Sequence, residues 1–536
     1  MSRGRALILL LLAVIIGIPF LMRPAAARDA REKDLKTVVI VSPHVSQIRL
    51  EFERAFKRWH EREYHEPARV VWLVPGGTSE IVKQLVSKYN AAIRGGEIAP
   101  DGTCQPGVIP IDLMMGGGSY DHGRLKTSKD VFAETTVQGI NGVEKKLAYI
   151  SMSVPAGFSK EDMDAWFGPN QVGVAYLYDP GDPAKGDPGQ YWIGTALSCF
   201  GIVYNKDLLA SLGVPEPTSF EDLGRPELVG GVALSDPRQS GSITTSLDAI
   251  LSYYGWEKGW RLIREMCANT RYFTNQSTKP PIDVAHGEAA MGLAIDFYGR
   301  NQAQAVVPPG HDVRDSRVGY VDPKGATSID ADPVSILRGG PNPEMARRFV
   351  RFCLSGEGQA LWQFPPTNST EGQANPKGPD GHPMGPQDYA LRRMPVSRSM
   401  YDKYMSFMID KVNPFELATK VKPAGWRDAI GIMMGAFSCD IADEQRAAWA
   451  ALIRARMDPS FPSDRLAEME SLFYSFPATR AQDGAELEFT PQSFKAIKER
   501  WDQAKKAGTL ADILIGYTSF FRGNYRRILE LSRTAP

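Results

Sequence analysis

The sequence predicts an α/β fold built from two successive sets of strand–helix units and followed by a helical C-terminal region. Three features carry the prediction. From Thr37 to Leu337, apolar β-branched runs alternate with stretches whose apolar residues recur at helical spacing. Short breaks rich in Gly, Pro, Ser and Thr divide them, supplied by 50 Gly and 39 Pro in 536 residues. Beyond about residue 402 mainly the helical period remains.

The chain opens with Arg3 and Arg5, runs uncharged from Ala6 to Met22, and reaches Ala25-Ala26-Ala27 before Arg28. A basic start, an apolar run and an Ala-x-Ala exit are the parts of a secretory signal, with removal expected after Ala27. The apolar run spans about 26 Å, slightly less than the ~30 Å hydrocarbon core. Residues 1–27 are therefore expected to be a signal peptide, with an uncleaved N-terminal anchor as the alternative. In both cases Arg28 onward is expected to be periplasmic or otherwise extracytoplasmic. The first cysteine is Cys104, so a lipid anchor is not expected, and no later stretch approaches a membrane span.

Thr37 to Val41 reads as a buried strand stopped by Ser42-Pro43-His44, and Ile48, Phe52 and Phe56 mark one face of the helix that follows. Ala68 to Val74 repeats the unit, broken by Pro75-Gly76-Gly77-Thr78-Ser79 before a helix with Ile81, Leu85 and Tyr89. A third strand, Ile111 to Met115, ends in Gly116-Gly117-Gly118-Ser119. Buried strands alternating with helices imply a mostly parallel sheet covered on both faces. Residues 119 to about 190 are less regular and are expected to form an insertion.

Gly194 to Asn205 then reads as one long strand. A second α/β set follows: the strand Gly231 to Leu234, a helix with Ile243, Leu247, Ile250 and Leu251, a helix from Trp256 to Met266, and the strand Ala289 to Ile295. Asp332 to Leu337 is a returning strand, and Asn342-Pro343-Glu344 begins a helix. In the tail, Thr490-Pro491 is expected to cap a helix carrying Phe494, Ile497 and Trp501. Further helices are expected around Trp449 and Ile453, from Ser463-Asp464, and through Ile513, Tyr517 and Phe521. No repeat of about 20–50 residues is visible, which excludes a solenoid.

Composition narrows the function. Lys and Arg number 62 against 62 Asp and Glu, so the net charge is zero and a nucleic-acid partner is not expected. With 43% hydrophobic residues the chain can bury large cores. Cys104, Cys199, Cys267, Cys353 and Cys439 form no C-x-x-C pair, which argues against a zinc ribbon or redox motif; one disulfide stays open, without a choice of partners.

Three strand-to-helix junctions, at Gly76 to Ser79, Gly116 to Ser119 and Asp236 to Thr244, set small residues and hydroxyls where helix N-termini begin. Exposed N–H groups there make anion seats. Any one of them is ordinary N-cap chemistry; three at strand ends in two sheets point to a ligand cleft. Asn275-Gln276-Ser277-Thr278 and Asp296-Phe297-Tyr298 are further polar wall material, with turn chemistry or strand capping as the plainer reading. Tyr191 and Trp192 are placed to stack on a ligand ring or to pack in the core. His60 and His65 point apart on a helix, and no metal site is expected. Phosphate-loop, nucleophile-elbow and dinucleotide glycine motifs are missing.

The chain resembles the extracellular solute-binding proteins of ABC importers with the type 2 periplasmic binding protein fold, in the cluster that includes ferric-ion binders. The matching stretches are Ser42-Pro43-His44, Gly77 to Glu80, Gly201 to Lys206, Pro217 to Leu223, Gly287 to Asp296, Asn342 to Phe349 and Ser355 to Gln359, in order over roughly 37 to 400. The resemblance implies two lobes joined by two crossing strands. Lobe 1 would comprise 36–190, with its insertion at about 119–190; 191–330 would hold the hinge strand and lobe 2; 331–401 would return to lobe 1, and 402–536 would be a helical C-terminal extension beyond the family plan.

Carried over by position, the cleft is expected to be lined by His44, Gly77, Thr78 and Ser79 from lobe 1 and by Thr195 and Ser198 at the hinge. Lobe 2 would add Ser240, Gly241, Ser242, Asn275, Ser277, Asp296 and Tyr298. The expected function is that of a non-enzymatic receptor, without cofactor or resident metal, delivering a small polar, anionic solute to a membrane permease with its cytoplasmic ATPase. A ferric-ion variant using Tyr298, His44 and Asp296 is the alternative, although iron-binding relatives present an adjacent tyrosine pair where this chain has Tyr298 alone. A secreted enzyme or a membrane-anchored sensor using the same cleft are the readings from other classes.

Overall fold

Val38 and Ile40 turn fully buried side chains to one face of strand β1 (Lys36–Val41), which pairs in parallel with β2 (Ala68–Leu73) from Lys36 opposite Ala68 to Val41 opposite Leu73. In this computed structural model, residues 35–139, 142–308, 315–323, 325–418, 420–481 and 483–533 are described. The expected signal segment 1–27 lies outside them. The short β3 (Leu113–Met115) joins β1 on its other side, also in parallel. Helices α1 (Ser46–Tyr64) and α2 (Thr78–Arg94) connect these strands. Ile48, Phe52 and Phe56 bury the inner face of α1 against Phe349 and Phe352, as their spacing requires.

One strand ties the molecule together. The 13 residues of β7 (Ile193–Asn205) are all buried. Its first part pairs antiparallel with β12 (Ile329–Leu337) in the first sheet, and Phe200 to Tyr204 pair antiparallel with β10 (Met291–Ile295) in the second. The chain returns through β11 (Val318–Val321), which pairs with the end of β7, and then through β12. One strand, β7, therefore belongs to both sheets, while the return uses β11 in the second sheet and β12 in the first; the continuous order is β2-β1-β3-β12-β7-β10-β8-β9, with β8 as Val232–Ser235 and β9 as Thr270–Thr274. This is a two-lobed α/β fold with a helical C-terminal region.

The irregular stretch after β3 contains helix α3 (Ser119–Thr127), an antiparallel hairpin of β4 (Phe132–Gly139) and β5 (Gly142–Tyr149), the two-residue β6 (Ser153–Val154), and a short helix, Lys160–Phe167. In the second lobe, α4 (Gly241–Tyr254) and α5 (Trp256–Ala268) cover the sheet, and α6 (Asp296–Ala305) follows β10. Helices α7 (Pro343–Leu354) and α8 (Gly356–Gln363) return to the first lobe, where Met394–Pro395 adds a short strand beside β7.

The C-terminal region is part of the second lobe's core. Helices α9 (Arg427–Met434), α10 (Ala442–Met457), α11 (Ser463–Tyr474), α12 (Phe494–Ala507) and α13 (Leu510–Arg533) place Met433, Trp449, Phe473, Phe521 and Ile528 in the same apolar cluster as Leu247, Ile263 and Met291. Trp449 Nε1 donates to Asn269 Oδ1 at 2.8 Å. The buried Arg264 guanidinium lies 4.9, 4.4 and 4.7 Å from the rings of Phe437, Phe476 and Phe521 and donates to the carbonyls of Phe473 and Ser475. Helix α12 begins at Phe494 rather than at Pro491, because Thr490 spends its hydroxyl on a turn with Ser493. The five cysteines are all unpaired. Among the described residues no helix is long and apolar enough to cross a membrane.

Candidate functional site

Where β1, β3, β7 and β12 meet, their ends and neighbouring loops enclose a cavity of about 50 Å³ faced by both lobes. Its floor follows from strand alternation. Asp330 and Asp332 are two apart on β12, so both carboxyl groups face the cavity from the same side of the sheet. Ser198 and Phe200 do the same from β7. Gly116 and Gly117, with φ of 102° and 110°, bring the β3 loop close to the first lobe's other loops; a Cβ on either would collide with His44 or Thr78.

A buried polar triangle forms one side. His44 Nε2 lies 2.8 Å from Asp332 Oδ2 and 2.9 Å from Arg393 Nη1. Arg393 also pairs with Asp332, donates to Ser198 Oγ, and stacks 4.1 Å over the Phe297 ring. Burial alone pushes the Asp332 carboxyl up, but Arg393 and His44 outweigh it and hold it below the ordinary carboxylate range. Three buried atoms of this triangle, His44 Nδ1, Asp332 Oδ1 and Arg393 Nε, have no hydrogen-bond partner among the described residues. Behind it, His122 bonds to Ser335 Oγ at 2.8 Å and to the Gly116 carbonyl at 3.1 Å, and burial pushes its imidazole down to about 4.

Of the residues expected to line the cleft, His44, Gly77, Thr78, Ser198, Ser240, Ser242, Ser277 and Tyr298 face this cavity. The others are placed differently. Ser79 sits one residue further into α2, half-buried. Thr195 is buried within β7, where its hydroxyl donates to the Asp332 carbonyl at 3.0 Å and its own carbonyl accepts from Gln359 and Trp362. Gly241 lies beneath Arg427, whose Nη2 donates to its carbonyl at 3.0 Å. Asn275 opens onto a separate surface hollow with Asp236 and Arg271. Asp296 turns away toward Arg300, 3.4 Å distant; burial pushes its carboxyl up to about 7 against the pull of Arg300.

One of the three expected anion seats already holds a carboxylate of the protein, and a second lies against one. The Ser119 amide at the start of α3 donates to Asp330 Oδ2 at 3.1 Å. At the start of α4, the Asp121 carboxylate packs against Gly241. The third, the start of α2 at Gly77 and Thr78, has no side-chain cap and faces the cavity. Arg393, Asp330 and Asp332 escaped sequence reasoning as site residues. The Asp-x-Asp alternation on the returning strand was a usable signal for two of them; Arg393 follows an aperiodic Pro- and Gly-rich stretch that offers none.

Residues 179–384 match the family described as bacterial extracellular solute-binding protein. An uncharacterized protein of Haemophilus influenzae is 26% identical over 286 residues, 47% of this chain and 79% of that protein. The phosphoglycerate transport regulatory protein PgtC of Salmonella typhimurium is 23% identical over 175 residues, 32% of this chain and 40% of PgtC. Among solved structures, the periplasmic binding protein AfuA of Actinobacillus pleuropneumoniae, with fructose-6-phosphate bound, is 17% identical with a TM-score of 0.44, covering 76% of this chain and 99% of its own. The ferric binding protein of Campylobacter jejuni is 13% identical with a TM-score of 0.44, covering 77% and 99%. Residues 179–384, which hold β7, β12 and the strands of the second sheet, are similar to the bacterial extracellular solute-binding proteins.

Proposed function

We propose that this chain is an extracytoplasmic receptor that closes two lobes on a small polar, anionic solute and presents it to an ABC-type permease powered by a cytoplasmic ATPase. The lobes would be drawn from 36–190 with 331–401 and from 191–330, with 402–536 as the extension. The observation that carries the reading is the Arg393–Asp332–His44 triangle, three residues that line a cavity walled from both lobes and that keep three polar atoms without a partner among the described residues. Arg393 and the uncapped start of α2 suit an anionic group. Asp330, Tyr298 and the hydroxyls of Ser198, Ser240 and Ser277 suit hydroxyl or amino groups on the same solute. The name of PgtC, with its phosphorylated organic acid, is in keeping with such a ligand.

Closure of this kind works only if the solute binds the closed form better than the open one. The ferric alternative is weaker in this geometry, since His44 and Tyr298 face the cavity and Asp296 does not. Thermal-shift screening of the chain from residue 28 against organic phosphates, phosphonates, carboxylates and ferric citrate tests the reading, with mass spectrometry of each bound compound. Stabilisation by an organic anion that is recovered unchanged is expected. Stabilisation by iron alone would favour the metal reading, and chemical conversion of the bound compound would make the protein an enzyme.

A further inference from the structure

The 50 Å³ pocket is not the end of the cleft. A second cavity of about 330 Å³ adjoins it, and Thr245 and Asp330 line both. Its walls come from three parts of the chain: Tyr120 and Tyr176 from the first lobe, Tyr253 from α4, and Pro423 with Arg427 from the C-terminal region. Arg427 is fixed there by hydrogen bonds to Thr245 Oγ1 at 2.8 Å and the Gly241 carbonyl at 3.0 Å, and stacks 4.1 Å from the Tyr120 ring. Its Nε and Asp248 Oδ1 are buried without a partner among the described residues. The three tyrosines are 41%, 45% and 43% exposed, so aromatic surface rims this chamber rather than filling it.

We propose that the solute has two parts: an anionic group seated in the Arg393 pocket, and an attached aromatic or apolar body seated in the outer chamber against the tyrosines and the C-terminal wall. The proposal rests on the receptor reading above and adds the class of solute. The inner pocket has room for a group of phosphate or carboxylate size, whereas the outer one has the volume in which a ring system is buried. The two share Thr245 and Asp330 as walls, which sets the body of one molecule beside its anionic group.

Two matched pairs of probes test this on the chain from residue 28 by titration calorimetry: methyl phosphate against phenyl phosphate, and acetate against phenylacetate. In at least one pair the phenyl member should bind about tenfold tighter or better. Ala249→Trp, which fills the outer chamber, should bring that member back to the affinity of its methyl partner while leaving the methyl partner unchanged. Tyr253→Ala, at an exposed position, should remove part of the gain. Equal affinities within a pair that binds, or a gain that survives Ala249→Trp, would overturn the two-part solute and leave the anion receptor standing. Failure of all four probes to bind would overturn the anion reading and this proposal with it.

Discussion

The carboxylate of Asp121, on α3 of the first lobe, packs against the Cα of Gly241 at the first residue of α4 in the second, leaving no room for a Cβ. The contact crosses the cleft, and both residues are buried. Burial pushes the Asp121 carboxyl up, and its Oδ2 finds no hydrogen-bond partner among the described residues, so what joins the two lobes here is close packing.

Gly241→Ala tests whether that contact holds the lobes together. Gly241 lies in helical backbone, where alanine is favoured by about 1 kcal/mol, so the second lobe itself should not suffer. The added methyl meets the short, buried Asp121 side chain, which has little space to move. The variant should stay folded and show a larger radius of gyration by small-angle scattering. An unchanged scattering curve would mean that Asp121 simply yields.

Arg393→Met should cost about 3–5 kcal/mol in urea unfolding, because it strands the buried Asp332 carboxylate beside His44 alone. Asp332→Asn in the same background should recover a large part of the loss, since the uncompensated charge disappears with it. Simple additivity of the two substitutions would show that the ion pair contributes nothing as a pair.

Stability should fall as pH rises through the window set by Asp296. Burial raises this carboxyl to about 7, so the folded chain holds its proton more tightly than the unfolded chain, where it titrates near about 4. The stabilisation is complete below about 4 and is lost as pH passes 7. Asp296→Asn removes the titration, and Arg300 keeps Asp322 at 2.8 Å as its partner. The variant should gain on the wild type by something on the order of 4 kcal/mol between pH 4 and pH 8, read from denaturant midpoints at each pH.

A chain ending at residue 425 should not yield a folded second lobe. Removing α9 to α13 uncovers the apolar cluster around Leu247, Ile263 and Met291 and strips Arg264 of its three phenyl rings. Dye binding and aggregation are the expected readouts. A soluble, cooperatively unfolding product would mean that the C-terminal helices are a detachable addition.

The strands and most helices were legible because their periodicity is local. The run from Ile193 to Asn205 is buried along its whole length, and the apolar spacing of α1 and α2 is strict. His44, Gly77 and Thr78 could be found because they follow strand ends directly. Arg393 could not, since it reaches the cavity through a backbone hydrogen bond from its amide to the Trp362 carbonyl and a fold-dependent stack on Phe297. Asp296 shows the opposite failure: its position at the start of α6 was evident, but which way its carboxyl turned depended on Arg300 one helical turn on. The apolar stripes of α10 to α13 announced buried faces without saying that the second lobe would be what covers them.

That shared core also sets an order of events for a chain that emerges from its N-terminus. Ile202, on the crossing strand, and Ile528, in the final helix, belong to the same apolar cluster. The first sheet can pair β1, β2 and β3 early, through neighbouring segments. The second lobe must wait with its inner faces uncovered until α13 arrives to seal them. A long loop closed late is slow to find and leaves sticky surface exposed meanwhile. Folding should therefore run in two phases, a prompt one for the first sheet and a delayed one gated by the last helix, and assistance that shields apolar surface should speed recovery of the second alone.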